Sequence, residues 1–347
     1  MSEATDMTIE ELQSTGVTKP LLTIAIPTYN RAPYLKELLL VLFDQLLDEP
    51  RVELMISDNA TSDETPAVVD EFVKQGLQLR YIRNQTNIGP DANFLQCFEK
   101  ARGKYVWILG DDDLVLPGAI ALVLSSLSQD EYDLVYLSHK GFSGTASDVQ
   151  PGSSRKRLSV YTNPQDFVRR VHIFMTLISC NIIHKDHVAS IEHSPFSNLV
   201  GTNLVQLGWT FTALRGHRKS LYVEQPVVSY RIANTGGYGV CRVFGATLTE
   251  ITEQWLGIPK LKRLILNATL QRFLPYCLLA ANQQSHESYL EENAHALLSG
   301  VFGNNFRYWF FDYPVIILPS RLAWLWMQMV RVINRIDRAF GLPLQGW

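Results

Sequence analysis

The sequence predicts an α/β fold, a mostly parallel sheet with helices on both faces, followed by a helical C-terminal region. Three observations carry this. Short apolar runs alternate with helix-patterned segments four times between residues 20 and 125. Each run leads at once into a short polar loop, and open α/β sheets gather their ligand-binding loops at strand C-termini. The fourth run, Tyr105 to Leu109, ends on Gly110 and three consecutive acids, Asp111, Asp112 and Asp113.

Leu21 to Ile26 is the first strand, closed by Pro27, Thr28, Tyr29, Asn30 and Arg31. Pro33 sits where a helix begins, and Tyr34, Leu35, Leu38, Leu39 and Leu42 recur at helical spacing. Val52 to Ile56 is the second strand, running into a polar loop with Asp58 and Asp63; Thr65 is the expected N-cap of a helix opened by Pro66. Leu77 to Ile82 is the third strand, followed by Arg83 and a loop to Gly89, then a helix over about 91–100. Thr28, Tyr29 and Asn30 offer a ring and hydrogen-bonding groups, Asp58 an acceptor for a base or ribose, and Arg83 a cation for a phosphate. Each alone is also ordinary turn chemistry; their recurrence after successive strands is what points to a site.

The acid triplet is the sharpest feature. Two unit charges about 4 Å apart repel by roughly 1 kcal/mol in water and about 4 kcal/mol at an effective dielectric of 20. Hard Mg²⁺ or Mn²⁺ reverses that sign, since it takes oxygen ligands and shares them with substrate phosphates. A solvated acidic turn is the competing explanation, and the place at the end of a buried strand favours the ligand site.

The chain has 347 residues, 46% hydrophobic and 19% charged, enough for a large core. A formal charge of −3 gives no reason to expect nucleic acid as partner. Cys97, Cys180, Cys241 and Cys277 show no metal-binding spacing and are expected as reduced thiols. Residues 1–19 are polar and acidic, expected as a flexible tail with no secretory signal, which places the chain in the cytoplasm.

The segments IAIPTYNRAPYLKELL, ISDNATSDET and RNQTNIGPDANFLQCFEKARGKYVWILGDDDLVLPGAI occur in that order over about residues 20–125. Together they resemble a family 2 glycosyltransferase of the GT-A fold, and ILGDDD with NIGPDANF is similar to O-antigen dideoxyhexose transferases of the abequosyltransferase type. The resemblance implies a nucleotide diphosphate sugar donor held by Pro27, Thr28 and Tyr29, with Asp58 on the base. It places Asp111 and Asp112 at the DXD position, on the ribose and on a diphosphate-bound Mn²⁺ or Mg²⁺, with Asp113 assisting and Asp112 catalytic. In that family a Glu-Asp pair opens a later helix and supplies the general base. Here the corresponding place falls near residues 201–204, which hold no carboxylate, so Glu192 and His193 are the substitutes, with solvent-facing loop residues as the alternative.

Beyond the triplet, residues 118–126 read as a packing helix, Asp133 to Leu137 as a strand, and 139–159, with Arg155, Lys156 and Arg157, as a surface loop. Met175 to His184 resembles the acceptor-side strand of the family. The glycines after Asn234 suit either a closing loop or a linker. The catalytic domain is expected over 20–235 and a helical region over 236–347, with helices over about 251–266 and 268–281. Residues 304–340 combine dense aromatics with Arg307, Arg321, Arg331, Arg335 and Arg338, against Asp312 and Asp337. No uncharged run there reaches the roughly 20 residues that span a bilayer, and the pattern fits a helix lying in the membrane interface. A core or dimer helix is the competing reading. A lipid-linked oligosaccharide acceptor at the inner face of the cell membrane favours the interface. Two rival functions stay open: a sugar nucleotidyltransferase, and a membrane-docked module that binds nucleotide sugar without catalysis.

Overall fold

The structure is a computed structural model describing residues 19–146, 157–232, 237–282 and 292–340. The tail, the Arg155–Lys156 part of the basic cluster and Gly236 of the glycine pair after Asn234 lie outside the described residues.

The first half follows the predicted alternation. Strand β1 (Leu22–Thr28) is buried along its whole length, so every side chain finds apolar neighbours on one face or the other. Helix α1 (Ala32–Leu46) turns Leu35, Leu38, Leu39 and Leu42 inward. Then come β2 (Val52–Asp58), α2 (Thr65–Lys74), β3 (Arg80–Arg83), α3 (Pro90–Lys100) and β4 (Tyr105–Ile108). Thr65 is already inside α2; Asp63 accepts from its backbone and hydroxyl, and also from the backbone N–H of Ala32 at 2.9 Å. One carboxylate thereby ties the β2 loop to the start of α1.

The remaining strands are β5 (Leu114–Val115), β6 (Leu134–Phe142), β7 (Leu158–Tyr161), β8 (Asn181–His184) and β9 (Ser220–Arg231). The sheet order is β3-β2-β1-β4-β8-β6-β9-β5, with β7 also on β9. Parallel pairing holds for β3-β2-β1-β4, as expected. Beyond β4 the sheet is mixed, because β8 runs antiparallel to both β4 and β6. Two departures from the sequence reading follow. Residues 139–142 extend β6 and 158–161 form β7 rather than belonging to a surface loop. The strand expected from Met175 starts only at Asn181, after two turns of 3-10 helix.

Helices α4 (Ala119–Gln129), α5 (Pro164–Val171), α6 (Lys185–Ile191) and α7 (Leu207–Arg215) complete this half. One apolar cluster lies under α1, α2 and α4 on one sheet face. The other runs from Ile108, Tyr136 and Ile183 through α5 and α7 into α8 (Pro259–Arg272), α9 (Leu274–Asn282), α10 (Ala294–Phe302) and α11 (Ser320–Phe340). The helix expected over 251–266 is broken at Gly257, which takes φ 63° before Pro259 opens α8. The run Pro259–Ala281 is long and apolar enough to cross a membrane, yet 72% of its apolar window is buried in this cluster.

Candidate active site

The loops after β1, β2 and β4 converge on one cavity of about 430 Å³. Its lining includes Pro27, Thr28, Tyr29, Asp111, Asp112 and Asp113, so six of the residues singled out from sequence stand together. Register explains this. In the parallel stack Ala25 pairs with Ile108 and Thr28 with Asp58, so β1 and β4 end at one edge and deliver their loops side by side.

The three acids have separate surroundings. Asp111 is buried; its Oδ2 accepts from Thr28 Oγ1 at 2.7 Å and its Oδ1 from Arg31 Nη1 at 3.1 Å. The same Arg31 nitrogen lies 3.5 Å from Asp112 Oδ2. Asp113 accepts the backbone N–H of Arg231 at 3.3 Å and is also bonded by the Ser179 hydroxyl. Burial, with the neighbouring Asp112 charge adding to it, pushes the Asp111 carboxyl up to about 6 against the pull of Arg31. Burial and Asp112 push Asp113 up to about 7.

These shifts carry a pH dependence. A carboxyl whose pKa is higher in the folded than in the unfolded chain takes up protons on folding, so its contribution is full at low pH and is lost as pH rises. The window runs from the ordinary 3.8 to about 7. In metal-free buffer the melting temperature is expected to fall across this window, and Asp113→Asn is expected to flatten the fall. A profile identical in wild type and variant contradicts the assignment.

The chemistry of the donor set suits a hard divalent cation. Asp112 Oδ1, Ser179 Oγ and Asp113 Oδ2 lie 3.2, 3.3 and 3.4 Å from the point that a Cβ on Gly110 would occupy, so three oxygens face one glycine-floored notch. Among the described residues no preformed group of three or more His, Cys, Asp or Glu ligands exists. One or two carboxylates completed by substrate phosphates and water is the usual arrangement for Mg²⁺.

Other expected residues stand elsewhere. Asp58 is fully buried and does not line the cavity; its carboxylate accepts from Thr61 N at 2.8 Å, Thr61 Oγ1 at 2.9 Å and the Tyr81 hydroxyl. Arg83 lies 3.5 Å from Asp58 and donates to the Thr61 carbonyl at 2.7 Å. The two brace the β2 loop from behind, in place of presenting a base acceptor and a phosphate cation. Glu192 is held by Arg215 and by Ser194 N at 2.8 Å, contacts that keep its carboxyl down at about 2 despite burial. His193 is exposed. Both follow α6, which leaves β8 at His184, opposite the start of β4 at Tyr105 and so at the end of the sheet away from the triplet. Neither reaches the cavity, which corrects their expected role as base.

The cavity also uses residues that the sequence did not mark. Asn59 donates to Asn87 Oδ1 at 2.8 Å and to the Gly89 carbonyl at 3.2 Å, adding an amide wall to the cavity that Tyr29 also lines. Ser179 fixes the glycine turn by accepting from Gly110 N at 2.9 Å. Asp91 on α3, outside the cavity lining, accepts from Gly201 N and Asn203 N at 2.8 Å each. It serves as an anchor for that loop, its pKa raised by burial against the opposing pull of those N–H groups.

Residues 23–191 match the sequence profile of Glycosyl transferase family 2. This stretch is a family 2 glycosyltransferase domain. Over 125 residues the chain is 37% identical to abequosyltransferase RfbV of Salmonella typhimurium, covering 36% of this chain and 37% of that protein. It is 31% identical over 111 residues to the GalNAc(5)-diNAcBac-PP-undecaprenol beta-1,3-glucosyltransferase of Campylobacter jejuni, covering 32% and 35%. The matches thus span little more than a third of either relative. Among solved structures, the mannosyltransferase PcManGT of Pyrobaculum calidifontis, crystallised with GDP-Man and Mn²⁺, superposes with a TM-score of 0.52 at 17% identity over 94% of this chain and 89% of that one. The family 2 domain therefore has the GT-A fold.

Proposed function

We propose that the protein transfers a sugar from a nucleotide diphosphate sugar to a hydroxyl of a lipid-linked glycan in surface polysaccharide synthesis. The convergence of the β1 loop with the acid triplet in one cavity carries this reading. The names of the two relatives, one an abequosyltransferase and one acting on an undecaprenol-linked glycan, support the donor and acceptor classes. Tyr29 and the Asn59–Asn87 wall would flank the nucleoside. Asp112, with Asp113, would hold a Mn²⁺ or Mg²⁺, which supplies Lewis-acid stabilisation of the charge on the leaving diphosphate. Arg31 adds a fixed positive group between Asp111 and Asp112, keeping two crowded carboxylates in place before the donor arrives.

A membrane-facing role for α11 belongs to the same proposal. Leu322, Leu325, Met329, Val332 and Ile336 are exposed at spacings of one helix face, while Ala323, Met327 and Val330 on another face are buried. Trp324 is exposed beside this stripe, and Arg321, Arg331 and Arg335 are exposed on the same helix. An apolar stripe with tryptophan and arginine fits an interfacial helix better than a solvated one. This would place the chain peripherally on the cytoplasmic face of the membrane. Wild-type protein is expected to sediment with anionic vesicles, and a Trp324→Glu, Leu325→Glu double variant to remain in the supernatant. Equal sedimentation of both, or a wild-type dimer that the variant dissociates, contradicts the membrane assignment.

A further inference from the structure

A second cavity, of about 480 Å³, is lined by residues of α5, β6, β9 and the turn containing His172 and Phe174. Aromatic rings build one wall. Tyr136 and Tyr222 stack nearly parallel, at 8° with centroids 5.6 Å apart. The Arg170 guanidinium lies 4.6 Å over the Tyr222 ring, and His139 Nδ1 is 3.1 Å from the Tyr136 hydroxyl.

Charge in this cavity is unbalanced. Arg169 pairs with Asp166 at 2.6 Å, and Arg272 on α8 pairs with Asp337 on α11. Among the described residues Arg170 has no such carboxylate partner. Tyr136 and Tyr222 are buried and form the floor, while the partly exposed rings of His139, Tyr161 and Phe174 line the open space. The cavity therefore combines aromatic edges that can pack on a sugar with an uncompensated guanidinium suited to a phosphate.

Its position links the two ends of the proposed reaction. Tyr136 contacts Cys180, the neighbour of Ser179. His139 meets Tyr230 edge-on, centroids 5.5 Å apart, and the next residue, Arg231, donates its backbone N–H to Asp113. Asp337, also in the lining, belongs to the helix with the exposed apolar stripe. The cavity thus lies between the acid triplet and the helix that would meet lipid.

We propose that this cavity binds the glycosyl phosphate end of the acceptor, with the sugar against His139, Tyr161 and Phe174 and the phosphate on Arg170. This rests on the glycosyl-transfer reading for the identity of the acceptor. The test titrates full-length protein with glucose, galactose and N-acetylglucosamine 1-phosphates, with the free sugars, and with inorganic phosphate, by ligand-observed NMR. UDP and GDP titrations of the same samples report separately on the donor cavity. At least one hexose 1-phosphate is expected to bind, more tightly than its free sugar or phosphate. Arg170→Ala is expected to weaken it about ten- to a hundredfold, the loss of a hydrogen bond to a charged group, and Arg170→Lys to restore part of it. Arg170 is exposed, so its replacement leaves the core intact. Absent binding, affinity unchanged in Arg170→Ala, or phosphate binding as tightly as every hexose 1-phosphate overturns the proposal. Nucleotide binding retained in those cases leaves the donor reading standing.

Discussion

Asp112→Asn abolishes sugar transfer while leaving the fold intact. Asp112 is the right member of the triplet to change. Asp111 is buried against Thr28 and Arg31, and Asp113 against Ser179 and the Arg231 backbone, so replacing either also disturbs packing. The Asp112 side chain keeps 17% of its exposure and faces the notch over Gly110. The amide keeps the shape and one acceptor but removes the charge that would draw in a cation and, through it, offset the departing diphosphate. Loss of one such preorganised electrostatic contact costs about 10²–10³ in rate, and loss of the cation costs more. Nucleoside diphosphate release is the measurement, with thermal unfolding as the control. Wild-type rates in the variant remove Asp112 from the chemistry.

Asp58→Ala destabilises the protein by about 2–3 kcal/mol, because three donors lose their buried acceptor at once. Thr61 N, Thr61 Oγ1 and the Tyr81 hydroxyl all point at this carboxylate, and Arg83 loses its counter-charge. Arg83 is half exposed and is rehydrated, which keeps the loss below that of a fully buried broken pair. Denaturant unfolding measures the effect. A wild-type unfolding midpoint combined with loss of nucleotide binding would instead restore Asp58 to base recognition.

The difference between these two aspartates shows where sequence reasoning reached its limit. Strand periodicity and the glycine before the triplet put Asp111–Asp113 at a strand end, both being local signals, and the parallel register of β1 and β4 brings them into one cavity with the β1 loop. Asp58 sits at the end of a strand in the same way, yet its surroundings are supplied by Thr61 and by Tyr81 on β3, contacts that no spacing reveals. Glu192 and His193 stood in for the carboxylate missing near residues 201–204, on the condition that their loop folds inward. The antiparallel turn of β8 carries them to the opposite end of the sheet, and strand direction is not written in an apolar run as short as Asn181–His184. Arg31 and Ser179 became visible only once β1, β4 and β8 were adjacent. The C-terminal segment stood out by composition, dense aromatics beside arginines, whereas the division of its last helix into one buried and one exposed apolar face came only from the structure.

The most direct test of the central claim is a donor panel assay with Mn²⁺, with Mg²⁺ and with chelator, in the presence of a lipid-linked glycan. The account predicts release of nucleoside diphosphate and a glycan heavier by one sugar, dependent on the divalent ion and absent in Asp112→Asn. Pyrophosphate release from a nucleoside triphosphate and a sugar phosphate, or tight donor binding without turnover under every ion and acceptor, would contradict it.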